Sequence, residues 1–316
     1  MRGLIVNPQS GKASGKGLEL ASRLKNDGHV MVRVLEEFRQ LGSFLDEMAR
    51  AKVSELFVSS GDGTVQAVQT EISERFVPGF FPHLALLPHG TTNMTAADLG
   101  FRNRNVKVQA DFIANGKSRV LARRPTVRVA NPKDGRARHG MFVGTGAAWQ
   151  ATIFCQDAVH RVGLKGEFAT FATLAAAIGK SVFARGNSDD PSRIDRPYEI
   201  ELLRDGKKVV DGHHLMLLAT TLDKLILGTR PFWGGKTGPI RVSTIPYPVP
   251  SVARWLLPLM YGGEDRTVPE GAHSFSGANF EIATKIPFVI DGEFFDPPED
   301  VALRLETGVE FTYVCG

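Results

Sequence analysis

Residues 59–64 read Ser-Ser-Gly-Asp-Gly-Thr and follow directly on the apolar run Leu56-Phe57-Val58. A second run, Leu84–Leu87, ends in Pro88-His89-Gly90-Thr91-Thr92-Asn93. A third, Leu4-Ile5-Val6, ends in Asn7-Pro8-Gln9-Ser10-Gly11-Lys12. Each reads as a short buried strand breaking into a turn of glycine and small polar residues. Such a turn offers backbone N–H groups and hydroxyls at a strand's carboxyl end, where an anionic phosphate is best accommodated. Three of them so close to the start of the chain predict a nucleotide-binding domain.

Strands and helices alternate around these turns. Leu4–Val6, Val30–Leu35, Leu56–Ser59 and Leu84–Leu87 read as strands. Gly15–Asp27, Leu41–Ala51, Val65–Ile72 and a segment starting at Met94 read as helices. This order predicts a parallel sheet with helices on both faces and a ligand at the strands' carboxyl ends. The texture changes near Arg119. Short apolar runs follow, among them Thr126–Ala130, Met141–Val143, Tyr198–Arg204, Leu215–Ala219, Ile240–Val242, Ala278–Ile282, Phe288–Ile290 and Ala302–Leu305. Gly, Pro, Asp or Asn turns separate them. They predict an antiparallel β-sandwich, interrupted by helical stretches at Phe168–Phe183 and Val252–Tyr261 and by a polar loop at Gly186–Asp195. The expected fold is therefore an α/β domain with a parallel sheet over residues 1–120 and an antiparallel β-sandwich domain over 121–316. The last strand is free to return to the first domain.

Composition narrows the class. The 316 residues suffice for two domains, and 42% hydrophobic with 23% charged content suits an ordinary core. A net charge of +4 gives no reason to expect a nucleic-acid partner. Lys117, Arg119, Arg123, Arg124 and Arg128 cluster, and leave open a solvated face or a contact with an anionic surface. Two distant cysteines, Cys155 and Cys315, imply no disulfide framework and point to a reducing compartment. The first apolar run is too short for a signal peptide and no run is long enough for a span, so a cytoplasmic location is expected.

Two carboxylates carry the chemical argument. Asp62 sits inside a phosphate-type turn, where it would repel a phosphate unless it holds a cation, a hydroxyl or a lysine. That suggests metal-assisted or hydroxyl-activating chemistry, although Asp-Gly is also an ordinary turn pair. Gly61 and Gly63 allow close approach of the backbone, and Thr64 can donate its hydroxyl or cap a helix starting at Val65. Asp291-Gly292-Glu293 follows another strand and signals a hairpin, while Glu293 could accept a hydroxyl proton.

The ordered set Asn7-Pro8-x-Ser10-Gly11, Gly61-Asp62-Gly63-Thr64, Pro88-x-Gly90-Thr91-x-Asn93 with Ala97 and Leu99-Gly100, and a late Asp291-Gly292-Glu293 resembles the bacterial diacylglycerol kinase-like lipid kinases, relatives of sphingosine and ceramide kinases. The resemblance implies ATP, with magnesium carried on it, bound between an α/β domain and a lipid-binding β-sandwich. It implies nucleotide contacts from Asn7, Pro8, Ser10, Gly11, Lys12, Ser60, Gly61, Gly63, Thr64, Gly90, Thr91, Thr92 and Asn93. Asp62 would assist catalysis and Glu293 would take the proton of the lipid hydroxyl, with Lys12 or Lys16 near the transferred phosphoryl. The chain departs from the family at Ala67, often Glu, and at Met94, commonly Asp. Bacterial members often carry an acidic magnesium loop, whereas the matching residues 228–238 contain no acidic residue, so that structural ion is expected to be absent.

Trp255-Leu256-Leu257 within Trp255–Tyr261 reads either as core or as a membrane-docking edge. Arg254, Arg119, Arg123 and Arg124 would supply charge for an anionic bilayer. His160, His213, His214 and His273 show no convincing metal spacing. The expected partner is a lipid at the inner face of a membrane, with a homodimer left open. An NAD kinase-like enzyme and an inactive, nucleotide-gated membrane-binding protein are the competing readings.

Overall fold

The computed structural model describes residues 1–10, 14–77, 79–115, 120–162, 196–249 and 251–316. Gly11, Lys12, Lys117, Arg119, the stretch Phe168–Phe183 and the loop Gly186–Asp195 lie outside the described residues. The chain divides into two units, Met1–Thr126 with Val309–Gly316, and Val127–Gly308.

In the first unit, strands β1 (Arg2–Val6), β2 (Val30–Val34), β3 (Glu55–Ser60) and β4 (His83–Pro88) alternate with helices α1 (Ser14–Leu24), α2 (Leu41–Arg50), α3 (Asp62–Arg75), α4 (Met94–Leu99) and α5 (Val106–Asn115). β3 is flanked by β1 and β4, β2 lies outside β1, and all these pairings are parallel. The final stretch of the chain adds a parallel partner to β4, with Tyr313 opposite Leu84. Both faces of the sheet are covered, so its strands are nearly continuous apolar runs rather than alternating ones. On one face Leu4, Val6, Phe57, Ala85 and Leu87 pack with Leu20 and Leu24 of α1 and Ala110 and Ile113 of α5. Strand order departs in both directions from the β1–β3 pair, which is the kind of switch point where open α/β sheets bind ligands. β1, β3 and β4 are adjacent, so their three glycine turns emerge side by side at one sheet edge.

The second unit is a sandwich. One sheet contains β7 (Phe142–Gly146), β11 (His213–Thr220), β12 (Ile240–Pro246), β13 (His273–Gly277), β15 (Phe288–Ile290) and β16 (Glu293–Phe295), with a short β8 (Tyr198–Glu199) on β11. The other contains β5 (Val120–Val129), β6 (Arg138–Gly140), β9 (Glu201–Arg204), β10 (Lys207–Val210), β14 (Asn279–Ala283) and the first part of β17 (Leu303–Cys315). These pairings are antiparallel. Val127, Leu202, Phe280 and Leu305 from one sheet meet Val143, Leu217, Val242 and Phe288 from the other in one buried core. Helix α6 (Ala147–Val162) follows β7 directly, and α7 (Val252–Tyr261) follows β12.

Several boundaries differ from those read in the sequence. α3 starts at Asp62, not Val65, so Thr64 lies inside its first turn and caps nothing; Gly61 is the N-cap. α5 and α6 occupy stretches given no helix, and β17 runs for 13 residues where only Ala302–Leu305 was expected. No described helix is long and apolar enough to cross a membrane.

Candidate active site

The three turns are bonded to one another. Asn7 Nδ2 donates to Thr64 Oγ1 (2.9 Å), joining the β1 turn to α3. The Gly61 N–H donates to Ser10 Oγ (2.6 Å), joining it to the β3 turn. Gly61 and Gly90 touch: a Cβ built on Gly90 would fall 2.2 Å from Gly61 Cα, so no larger residue fits at position 90 without moving a turn. Asn93, in the left-handed region at φ 52°, closes the third turn on itself. Its Oδ1 accepts the Gly90 N–H (2.7 Å) and its Nδ2 donates to the Gly90 carbonyl (2.8 Å). Thr91 and Thr92 lie half-buried on the same turn, and Pro8 is half-buried on the first. Ser60 is 3% exposed, and its hydroxyl has no hydrogen-bond partner among the described residues.

Asp62 has a role the sequence did not reveal. Its Oδ2 accepts the Met94 N–H (2.9 Å) and its Oδ1 accepts the Thr95 N–H (3.0 Å). The carboxylate thus satisfies two orphan donors at the start of α4 and ties it to α3.

His89, the x of Pro88-x-Gly90, has a place of its own in the third turn. It is 2% exposed, and its Nδ1 lies 2.8 Å from the hydroxyl of Ser59, the residue before the β3 turn. Burial chiefly, with the charges of Lys16 and Arg104, lowers its pKa to about 4 against the pull of Gln109, so the ring is neutral at pH 7. Its folded pKa lies below the unfolded value of 6.5. The unfolded chain therefore binds more protons between these values, and stability falls as pH drops from 6.5 toward 4. The contribution is on the order of 3 kcal/mol. Denaturant melts of wild type and His89→Gln across this window check it. The wild-type slope should flatten in the variant, and parallel slopes would contradict the assignment.

Glu293 belongs to the second unit. Asp291 and Gly292 take φ of 48° and 92°, both positive, and close the β15–β16 hairpin with Ile290 opposite Glu293. Asp291 is 4% exposed; its carboxylate accepts the N–H groups of Met141 (2.8 Å) and Phe142 (2.9 Å), which pins the hairpin to the start of β7. Gln156 of α6 donates to the Gly292 carbonyl (2.9 Å). Glu293 is exposed at the hairpin, yet partial desolvation by surrounding protein raises its pKa above the ordinary glutamate value. That shift makes the carboxylate a better proton acceptor near neutral pH.

A mostly parallel α/β sheet in one unit and an antiparallel β-sandwich in the other define the fold class. Residues 2–122 match the family model of the diacylglycerol kinase catalytic domain. The match covers the N-terminal unit, which is thus similar to this kinase domain. A curated relative named "Putative lipid kinase", from Streptococcus pneumoniae, is 31% identical over 96 residues. The match spans 29% of this chain and 31% of the relative's length. A diacylglycerol kinase crystal structure from Bacillus anthracis superposes with a TM-score of 0.65 at 17% identity, covering 99% of this chain and 96% of that one. At that identity it establishes the shared two-domain fold.

Proposed function

We propose that this chain transfers the γ-phosphoryl group of ATP to the hydroxyl of a lipid such as diacylglycerol, ceramide or a sphingoid base. The observation that carries the reading is the convergence of three bonded glycine turns at one sheet edge, within the segment that matches a kinase family. The lipid oxygen forms a bond to the γ-phosphorus as the bond from that phosphorus to the β–γ bridging oxygen breaks, and ADP leaves. Glu293 accepts the hydroxyl proton. The Gly61 and Gly90 turns receive the phosphates through their backbone N–H groups, and Asp62 helps Glu293 to orient the hydroxyl. Magnesium bound with ATP would supply charge neutralisation at the phosphates. Lys16, exposed on α1, is available to the same charge.

A kinase of a membrane lipid must reach its substrate at a bilayer. α7 offers anchors: Leu257 is 69% exposed and Tyr261 52%. The Arg254 guanidinium stacks 5.0 Å over the Trp255 ring. Trp255 itself packs against Ile245, Leu259 and Ala272, so the anchor reading passes from it to Leu257 and Tyr261. Burying one leucine is worth about 1.5–3 kcal/mol. Leu257→Ser should therefore weaken co-sedimentation with anionic vesicles roughly 10- to 100-fold. Unchanged binding would remove α7 from the docking surface.

The proposal is tested by ATP turnover over a panel of lipid alcohols, with NAD as the soluble comparison. Turnover with NAD alone would favour an NAD kinase-like activity. ATP binding without any turnover would favour a nucleotide-gated binding protein.

A further inference from the structure

Residues 228–238 stand where the resemblance implies an acidic magnesium loop. They do not fit that ion. The segment Gly228-Thr229-Arg230-Pro231-Phe232-Trp233-Gly234-Gly235-Lys236-Thr237-Gly238 has no carboxylate and two cations, whereas magnesium sites rest on carboxylates.

A side chain from elsewhere in the same unit supplies positive charge there. Arg266, just beyond α7, donates from Nη1 to the carbonyls of Arg230 (2.8 Å) and Leu259 (2.6 Å). Its Nη2 donates to the carbonyls of Phe232 (3.1 Å) and Gly262, and its Nε to that of Gly263 (2.7 Å). Five carbonyls from the 230–232 segment, the last turn of α7 and the chain leaving it converge on one guanidinium. The Trp233 ring lies 5.4 Å from its carbon. Among the described residues no carboxylate pairs with Arg266. The balancing negative charge comes from carbonyl dipoles, some of them orphan acceptors of a helix C-terminus. The Arg230 N–H takes another, the Met260 carbonyl (2.7 Å).

The rest of the segment is fastened to β13. Ser274 Oγ accepts the N–H groups of Trp233 (3.0 Å) and Gly234 (3.1 Å), and Ser276 Oγ accepts that of Thr237 (2.8 Å). Gly234 lies against the β13 backbone so closely that a Cβ there would come 2.3 Å from the Ser274 carbonyl carbon.

We propose that Arg266 is the resident cation of this corner and does here what a structural metal would do, gathering carbonyls from separate segments and fixing residues 230–238 against α7 and β13. Arginine suits the task because its planar fork presents five donors, where lysine presents three from one point. The inference rests on the packing of this unit and not on the lipid-kinase reading.

Thermal melts of wild type, Arg266→Lys and Arg266→Met, each in EDTA and in millimolar magnesium, test it alongside amide hydrogen exchange over 229–238. Wild type should melt at the same temperature in both solutions. Arg266→Met should lose at least about 5 °C in both, with faster exchange in this segment. Arg266→Lys should fall between them. A wild-type melt lowered by EDTA and restored by magnesium would overturn the proposal, and that comparison stands even if Arg266→Met fails to fold. An Arg266→Met protein with wild-type melting and exchange would overturn it as well.

Discussion

Asp62→Asn should lower turnover on the order of 10²-fold or more and also cost about 1–3 kcal/mol of stability. The second loss comes from the geometry. Asparagine keeps one acceptor oxygen but turns an N–H₂ toward a backbone N–H at the start of α4, where two charge-assisted bonds stood. Its two bonds to α4 give the carboxylate a structural duty beside any chemical one. The two roles separate by temperature. Kinetics taken well below the variant's melting point should still show the full turnover deficit if Asp62 helps to orient the hydroxyl. Turnover that recovers to near wild type on cooling would leave Asp62 as a helix cap alone.

Glu293→Gln should remove activity to a similar extent while ATP affinity stays within about twofold. A base acts on the acceptor hydroxyl, so chemistry and nucleotide binding should part. Glu293 makes the better candidate because the hairpin is held independently of it. Asp291 bonds the Met141 and Phe142 amides, and Gln156 bonds Gly292. Substitution at 293 thus leaves the turn's anchors in place. Desolvation raises the Glu293 pKa, so the acid limb of the pH–rate profile should lie above the range of an ordinary glutamate and vanish in the variant. Equal losses in ATP binding and turnover would mark Glu293 as structural.

These expectations show what local sequence can encode. The glycine turns were legible because an apolar strand and its exit are contiguous. The Asp291-Gly292 hairpin was legible because both residues favour positive φ. The partners of Asp62 were not, since Met94 and Thr95 come from the next crossover and no periodicity links them to position 62. His89 was hidden for the same reason: only the parallel register of β3 and β4 brings it beside Ser59. α6 escaped because it begins straight after Gly146 of β7, with no Ser, Thr, Asp or Asn at its start. The full length of β17 was not legible because Thr307-Gly308 looks like a break, yet the strand continues through it to Cys315. Arg266 shows no motif at all; its function exists only once α7 and the 230–233 segment are folded together.

The central claim is phosphoryl transfer from ATP to a lipid hydroxyl. The most direct measurement incubates purified protein with γ-labelled ATP, magnesium and mixed vesicles containing diacylglycerol, ceramide or a sphingoid base, and follows label into the extracted lipid. The account predicts a labelled phospholipid from at least one of these alcohols, absent with Asp62→Asn and Glu293→Gln. Label that enters only water-soluble product, or none at all from a protein that binds ATP, would contradict it.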